Sequence, residues 1–468
     1  MHQAHHLTRR KFLHTSAALG SAWALAPARA EQGEHAGQWL VGTSSAEITP
    51  PLEVGILMSS GRQAWEPFEG VRLPLHAKAL VVEKNQRRIA LVTLDLIGLA
   101  GEAVGGMRAF REQVVAAAGG AVEADDLVLA SSHTHSGPES LALSDLYHAE
   151  AFQKWSRDLA RGIGSAVQSA AGAQRPARLM VASGSAPELA VNRRIETTRG
   201  IASVRRELPP DVVIGPEGPI DDRVGVAAFM DRSNRPVAIL VNFTSHPVLE
   251  MCIKQVSPDY PGEMCLELEK RHPGAMAFFL QGACGNINPP TMERSAANAR
   301  QFGRRLAAVA DEALAGLQPV EGDQLALRWA TLRLPARSVT GEPEAEPFET
   351  RIGAARIGDL ALVFLPGEPF VEIALAIREA SPWDFTAVVG YADDYIGYIP
   401  TDRAFRNGGY EIGPGRWSRL ATGSEPIVRE EAIKLLRSLG ENMEAEQKSR
   451  GAETSIVLPG PLLPKRFR

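Results

Sequence analysis

Short apolar runs alternate with amphipathic stretches in the first half of the chain, and together they predict a strand–helix–strand unit. Residues 89–94 (IALVTL) and 127–130 (LVLA) have the length and composition of buried strands. Between them, residues 103–118 carry apolar positions at helical spacing. A crossover of this kind favours parallel pairing of the two strands. A longer helix is predicted over residues 151–171, where apolar positions recur every three or four residues.

The same alternation continues through the middle and the end of the chain. Two apolar runs, 224–230 and 237–243, flank a polar turn and predict a β-hairpin. Further strands are predicted at 277–280, 360–365 and 387–390, and further helices at 296–317 and from Phe370. These elements predict an α/β fold with a large mixed β-sheet core flanked by helices and with active-site loops at the strand ends.

The first thirty residues have the features of an export signal. A twin-arginine motif, TRRKFL, begins at Thr8, an apolar run covers 17–26, and Ala28-Arg29-Ala30 supplies a cleavage site. We therefore expect the twin-arginine export machinery as a partner and a periplasmic or secreted product. Residues 31–468 are predicted to form a single catalytic domain, and no other run of eighteen apolar residues predicts a transmembrane segment in the mature chain.

Composition and charge narrow the possible functions. The 468 residues include 50 basic and 55 acidic side chains, which give a net charge of −5 without blocks of one sign. This balance argues against nucleic acid as a partner. The three cysteines, Cys252, Cys265 and Cys284, fit no zinc-binding spacing and are predicted to be small buried residues, although one disulfide remains possible in an oxidising compartment.

Two histidines at the end of a predicted strand suggest a metal site. His133 and His135 follow the run 127–130, and side chains two residues apart on a strand point the same way. His246 and Glu368 also follow apolar runs, and zinc in hydrolytic sites prefers histidine and carboxylate ligands with one open position. The pattern alone leaves a structural role for the histidine pair open.

Six sequence blocks in one order resemble the neutral/alkaline ceramidase family. The similarity covers residues 41–421. The blocks are 133–138 (HTHSGP), Asn192-Arg193, His246-Pro247, 281–289 (QGACGNINP), Pro366-Gly367-Glu368 and the segment from Tyr398 to Tyr410. The resemblance implies the catalytic N-terminal domain of that family, one Zn²⁺ ion, and hydrolysis of the amide bond of a small-molecule or lipid N-acyl substrate by metal-activated water.

The resemblance also implies roles for individual residues. It implies that the zinc ligands are His133, His246, Glu368 and Tyr398, with Tyr395 as the alternative to the last, and that His135, Arg193 and Tyr410 line the site. His135 would act as general acid or base or would only orient a ligand. Arg193 would fix the substrate or would pair with an acidic residue such as Asp95.

Two departures from the family pattern bear on the chemistry. The position of the family's essential serine is Asn288, whose amide cannot act as a nucleophile but can donate a hydrogen bond to a developing oxyanion. The family's C-terminal immunoglobulin-like domain is expected to be absent. Ceramide itself is therefore not the predicted natural substrate.

Three functions remain open at the level of sequence. The first is a zinc amidohydrolase, the second a zinc esterase or lactonase, and the third a non-catalytic metal-containing binding protein of the same fold. An intact ligand set argues against the third. The same ligands would also accept iron or manganese.

Overall fold

The computed structural model describes residues 38–59, 64–203, 208–291 and 293–440. The predicted export signal, residues 1–30, lies outside these ranges. In the described ranges the α-helices are α1 (Gly101–Val104), α2 (Met107–Ala117), α3 (Glu150–Gly172), α4 (Asp259–Arg271), α5 (Ala296–Leu314), α6 (Val371–Glu379), α7 (Asp402–Asn407) and α8 (Ser424–Ser438).

The strands of the described residues alternate with these helices along the chain. In chain order they are β1 (Gln38–Glu47), β2 (Ile56–Ser59), β3 (Ala64–Glu66), β4 (Gly70–Val71), β5 (His76–Lys84), β6 (Arg87–Leu94), β7 (Leu127–Ser131), β8 (Arg175–Ser185), β9 (Val191–Asn192), β10 (Arg194–Thr197), β11 (Gly200–Ser203), β12 (Val213–Pro216), β13 (Arg223–Met230), β14 (Pro236–Phe243), β15 (Gln255–Val256), β16 (Met276–Gln281), β17 (Ile287–Asn288), β18 (Gln318–Pro319), β19 (Leu325–Leu334), β20 (Phe348–Ile357), β21 (Leu360–Phe364), β22 (Glu368–Pro369), β23 (Phe385–Val389) and β24 (Tyr398–Ile399).

A mixed nine-stranded sheet is the largest sheet in the described ranges. Its order is β16-β14-β13-β8-β1-β5-β6-β7, with β18 paired to β8. The pairs β6–β7 and β14–β16 are parallel, and the pairs β13–β14 and β5–β6 are antiparallel hairpins. The predicted strand–helix–strand unit, the hairpin and the mixed α/β fold are thereby confirmed.

The described residues pack in four layers, and the nine-stranded sheet is one of the two inner layers, buried on both faces. Helices α2 and α3 cover one half of its outer face, and α4 and α5 cover the other half. A four-stranded sheet, β19-β20-β21-β23, packs against the inner face. Helices α6 and α8 cover the far side of this second sheet. The strands of both sheets are apolar on both faces because both faces are buried.

Helix α3 shows how the sequence pattern produces this packing. Its buried side chains recur at helical spacing, as Phe152, Leu159 and Ile163 illustrate, and each contributes roughly 1.5–3 kcal/mol when fully buried. Gly164 lies where α3 crosses α2, and a Cβ there would lie 2.5 Å from the Cβ of Ala117. The two helices therefore approach more closely than any larger residue would allow.

One helix near the site was missed by the sequence reasoning. Pro258 and Pro261 favour a turn at Asp259, but α4 begins at that residue. Pro261 and Gly262 in its first turn hide the helical pattern, although the first turn tolerates proline. No helix in the described ranges has the length and hydropathy needed to cross a bilayer. All three cysteine thiols lie in those ranges and are free, two of them buried and Cys252 half-buried.

Candidate active site

The ends of several strands bring the predicted site residues together. His133 lies two residues after β7, and His246 lies three residues after β14. Glu368 begins β22 and pairs in parallel with Tyr398, which begins β24. The side chain of Gln281, at the end of β16, donates to the carbonyl oxygens of Ser132 and Ser245 at 3.1 Å each. One amide group therefore ties together the two loops that carry the buried histidines.

Three imidazole rings converge at the centre of the site. The Nε2 atoms of His133 and His246 are 2.9 Å apart, and those of His133 and His135 are 3.2 Å apart. The Oε2 atom of Glu368 lies 3.4 Å from Nε2 of His133 and 3.6 Å from Nε2 of His246. His133 and His246 are fully buried, whereas His135 is half-buried and lies toward solvent.

Hydrogen bonds on the far side of the rings fix their tautomers. Nδ1 of His133 contacts the carbonyl oxygen of Ile97 at 2.6 Å, and Nδ1 of His246 contacts that of Cys284 at 3.0 Å. A carbonyl oxygen only accepts, so both Nδ1 atoms carry a proton. Burial lowers the pKa of His246 well below its usual value, and the charges of His133 and Arg193 lower it further. His246 is therefore neutral, with its Nε2 lone pair directed at His133.

This donor set fits a metal cation. Nitrogen lone pairs and a carboxylate oxygen converge within contact distance, and like partial charges at such separations are stabilised by a cation between them. The ligating nitrogens of His133, His135 and His246 all lie within 4.8 Å of one another. This grouping includes His135, which the resemblance placed in catalysis rather than in the ligand set.

Two tyrosines surround Glu368. The hydroxyl of Tyr395 donates to Oε1 of Glu368 at 2.7 Å, and that of Tyr391 donates to Oε2 at 3.5 Å. Tyr391 also stacks on the ring of His133 at 4.0 Å. Burial raises the pKa of both phenols well above its usual value, and the Glu368 charge adds to the effect, so both remain donors. The sequence reasoning missed Tyr391, although it follows strand β23 as the histidines follow theirs.

Arg193 joins the remaining candidates to this centre. Its Nη2 donates to the hydroxyl of Tyr398 at 3.0 Å, and its Nη1 donates to Oδ1 of Asn288 at 3.3 Å. The ring of Tyr410 lies 6.0 Å from that of Tyr398 and 6.0 Å from the guanidinium carbon. The eight residues predicted for the site, and Tyr395 as the alternative ligand, thus lie in one cluster, while their individual roles stay predictions.

The acidic partner of Arg193 is Glu411, which the sequence reasoning did not identify. Nε of Arg193 donates to Oε1 of Glu411 at 2.7 Å. Burial by itself raises the pKa of Glu411, and the charges of Arg193 and Arg194 outweigh it, so the pKa is lowered. Arg193 thus pairs with an acidic residue, but with Glu411 rather than Asp95, whose Oδ2 accepts the backbone N–H of His76. The only sequence signal for Glu411 was that it follows Tyr410 directly in the chain.

A close backbone approach holds Glu368 against the loop 281–289. The N–H of Gly285 donates to the carbonyl oxygen of Pro369 at 2.9 Å. A Cβ on Gly285 would lie 2.5 Å from the carbonyl oxygen of Glu368 and 2.9 Å from that of Pro369. Only glycine leaves room for this approach.

Comparisons with known proteins point to one family of proteins. The family model described as neutral/alkaline non-lysosomal ceramidase, N-terminal, matches residues 39–310, more than half of the chain. The neutral ceramidase of Pseudomonas aeruginosa is 28% identical over 258 residues, which are 53% of this chain and 36% of that protein. The matched region therefore spans about a third of that relative's length.

Solved structures resemble the fold over most of the chain. The crystal structure of neutral ceramidase from Pseudomonas aeruginosa matches with a TM-score of 0.68 at 21% identity, covering 91% of this chain and 76% of that one. A ceramidase complexed with C2 matches with a TM-score of 0.70 at 21% identity, covering 91% and 77%. At this identity the likeness establishes the fold.

Proposed function

We propose, because the chain belongs to the neutral/alkaline non-lysosomal ceramidase family, that it is a zinc-dependent hydrolase that cleaves the C–N amide bond of an N-acyl substrate. The observation that carries the proposal is the convergence of the Nε2 atoms of His133 and His246, 2.9 Å apart, with Oε2 of Glu368 beside them. Convergent buried titratable groups in such a cluster are typical of functional sites.

The proposed ligands of the zinc ion are His133, His246, Glu368 and Tyr398. A zinc ion bound there would supply a nucleophile at neutral pH and polarise the amide carbonyl. The carbonyl oxygens behind His133 and His246 hold the imidazoles in the tautomer that presents Nε2 to the ion. Tyr395 holds the Glu368 carboxylate by its Oε1 atom, which leaves Oε2 directed at the imidazoles.

The other residues of the cluster position the substrate and move protons. Oδ1 of Asn288 accepts from Arg193, and this contact fixes the amide nitrogen as the end of Asn288 that donates to a developing oxyanion. His135 is the half-buried imidazole of the three, so we propose that it transfers a proton to the leaving amine.

An apolar groove next to the site supports the proposal that the acyl group of the substrate is lipid-like. It has a volume of about 570 Å³ and borders β9, whose partner strand β17 carries Asn288. Its lining includes Val191, Ile195, Ile220 and Pro290. A hydrocarbon chain gains roughly 0.8 kcal/mol for each methylene that such a surface removes from water.

The test is hydrolysis of matched pairs of long-chain N-acyl amides and esters by purified protein, before and after dialysis against a chelator. We expect amide hydrolysis that is lost on chelation and restored by zinc. Preference for the ester of each pair would favour the esterase alternative, and a chelator-insensitive rate would refute the proposal. In His135→Gln, retained zinc with lost turnover supports proton transfer, whereas lost zinc makes His135 a ligand.

We also propose export by the twin-arginine route, on the strength of the motif that begins at Thr8. Replacing Arg9 and Arg10 together by lysine is expected to retain the protein, with its signal uncleaved, in the cytoplasmic fraction. Normal export of that variant would contradict this part of the proposal.

A further inference from the structure

We propose that Glu411 is the positioning residue of this site: its carboxylate holds Arg193 so that the two terminal nitrogens of the guanidinium reach Tyr398 and Asn288. The inference rests on the proposed function, because it concerns a zinc ligand and an oxyanion donor. It assigns a defined task to a residue outside the eight that the sequence nominated.

The three nitrogens of Arg193 have three different partners. Nε donates to Glu411 at 2.7 Å, Nη2 to Tyr398 at 3.0 Å and Nη1 to Asn288 at 3.3 Å. The guanidinium is planar and rigid, so fixing Nε also fixes the directions of both Nη atoms. The side chain is 1% exposed, and water therefore cannot take the place of a missing partner.

Glu411 is itself held on both oxygens. Its Oε2 accepts from Nη1 of Arg194 at 2.6 Å, and Nη2 of Arg194 also donates to the carbonyl oxygen of Gly408 at 2.6 Å. The backbone carbonyl of Glu411 accepts from the hydroxyl of Ser418 at 2.6 Å. The carboxylate is thus fixed from its backbone to both oxygens, as a group that positions another must be.

Glu217 offers a matched control within the same charge cluster. Glu217 forms an ion pair with Arg194 and accepts a hydrogen bond from the side chain of Asn407. The carboxylate that pairs with Arg193 is that of Glu411. Two buried arginines face two buried glutamates, so neutralising either glutamate leaves the same excess of one positive charge. Any difference between the two neutralised variants therefore reports on the contact with Arg193 rather than on charge or general stability.

Loss of the Glu411 charge should displace both terminal nitrogens of the Arg193 guanidinium. Without its carboxylate partner, Arg193 is expected to turn toward the remaining negative charge, and Glu368 is among the groups whose charge acts on it. Tyr398 and Asn288 would then lose their defined positions. Changes to groups that orient a metal ligand typically reduce metal affinity or activity by 10–100-fold.

The experiment compares Glu411→Gln with Glu217→Gln in the full chain. Zinc affinity is measured by competition with a chromophoric chelator, kcat and KM with the best amide substrate, and folding by thermal unfolding. We expect Glu411→Gln to lose about 10–100-fold in both zinc affinity and kcat, with KM within about threefold. Glu217→Gln should show the same shift in Tm as Glu411→Gln, and it should stay within about threefold of wild type in zinc affinity, kcat and KM. Glu411→Asp, which keeps the charge, should recover part of both losses.

The outcomes separate this inference from the proposed function. If the wild type binds zinc and hydrolyses amides but the two glutamine variants behave alike, the positioning role is overturned and the proposed function stands. If the wild type binds zinc without hydrolysing any amide, the proposed function fails, and the zinc competition still decides the role of Glu411. A wild type that does neither overturns both.

Discussion

Replacing Gly285 by alanine tests whether the site depends on the close approach of two backbone segments. The new Cβ would lie 2.5 Å from the carbonyl oxygen of Glu368, whereas ordinary contact begins near 3.4 Å. The two neighbouring atoms, the carbonyl oxygens of Glu368 and Pro369, belong to the backbone and cannot swing aside. The loop of Gly285 and strand β22 must therefore separate by roughly 0.9 Å, a distance that moves Glu368 relative to the imidazoles.

The displacement sets the size of the expected effects. Overpacking of this kind costs about 1–3 kcal/mol of stability. A shift of about 1 Å in a reacting or ligating group costs on the order of 100-fold in rate. We therefore expect Gly285→Ala to fold with a lowered Tm, to bind zinc more weakly, and to lose about 100-fold in kcat per folded molecule.

Gly164→Ala provides the control, because its Cβ would lie 2.5 Å from the Cβ of Ala117 and 2.6 Å from the carbonyl oxygen of Val114. The clash is equally deep but lies between α2 and α3, which carry no site residue, and the helix preference of alanine offsets up to about 1 kcal/mol. Its turnover per folded molecule should equal that of wild type. Equal loss of kcat in the two variants would refute the reasoning, as would a Gly285→Ala enzyme with wild-type zinc affinity and rate.

Two further predictions concern groups near the site. Burial and the Glu250 charge raise the pKa of Asp259 to about 7, so its stabilising contribution is complete below pH 4 and is lost as the pH rises to about 7. We expect urea unfolding of wild type to lose about 4 kcal/mol over that range and Asp259→Asn to flatten the slope; an equal slope in both proteins would contradict this. Tyr395→Phe removes the 2.7 Å hydrogen bond to Glu368 and should weaken zinc binding roughly 10-fold in chelator competition, and an unchanged affinity would mean that Glu368 is held without it.

Local sequence pattern was sufficient for most of the elements that carry the site. The apolar runs at 89–94 and 127–130 and the helix between them became β6, β7 and α2, because side-chain periodicity is a local property of the chain. It failed at α4, where Pro261 and Gly262 break the pattern although the helix is stabilised by the core. Burial against neighbouring elements overrides a weak local preference.

The sequence alone thus determined the α/β class, the family resemblance and the eight residues that the structure brings into one cluster. Only the tertiary structure decided their partners: Glu411 for Arg193, Tyr395 for Glu368, and carbonyl oxygens for the histidines. Elements follow from periods of two and 3.6 residues, which can be read along the chain. A hydrogen bond depends on distances between residues far apart in the chain, and those distances are set only when all four layers pack.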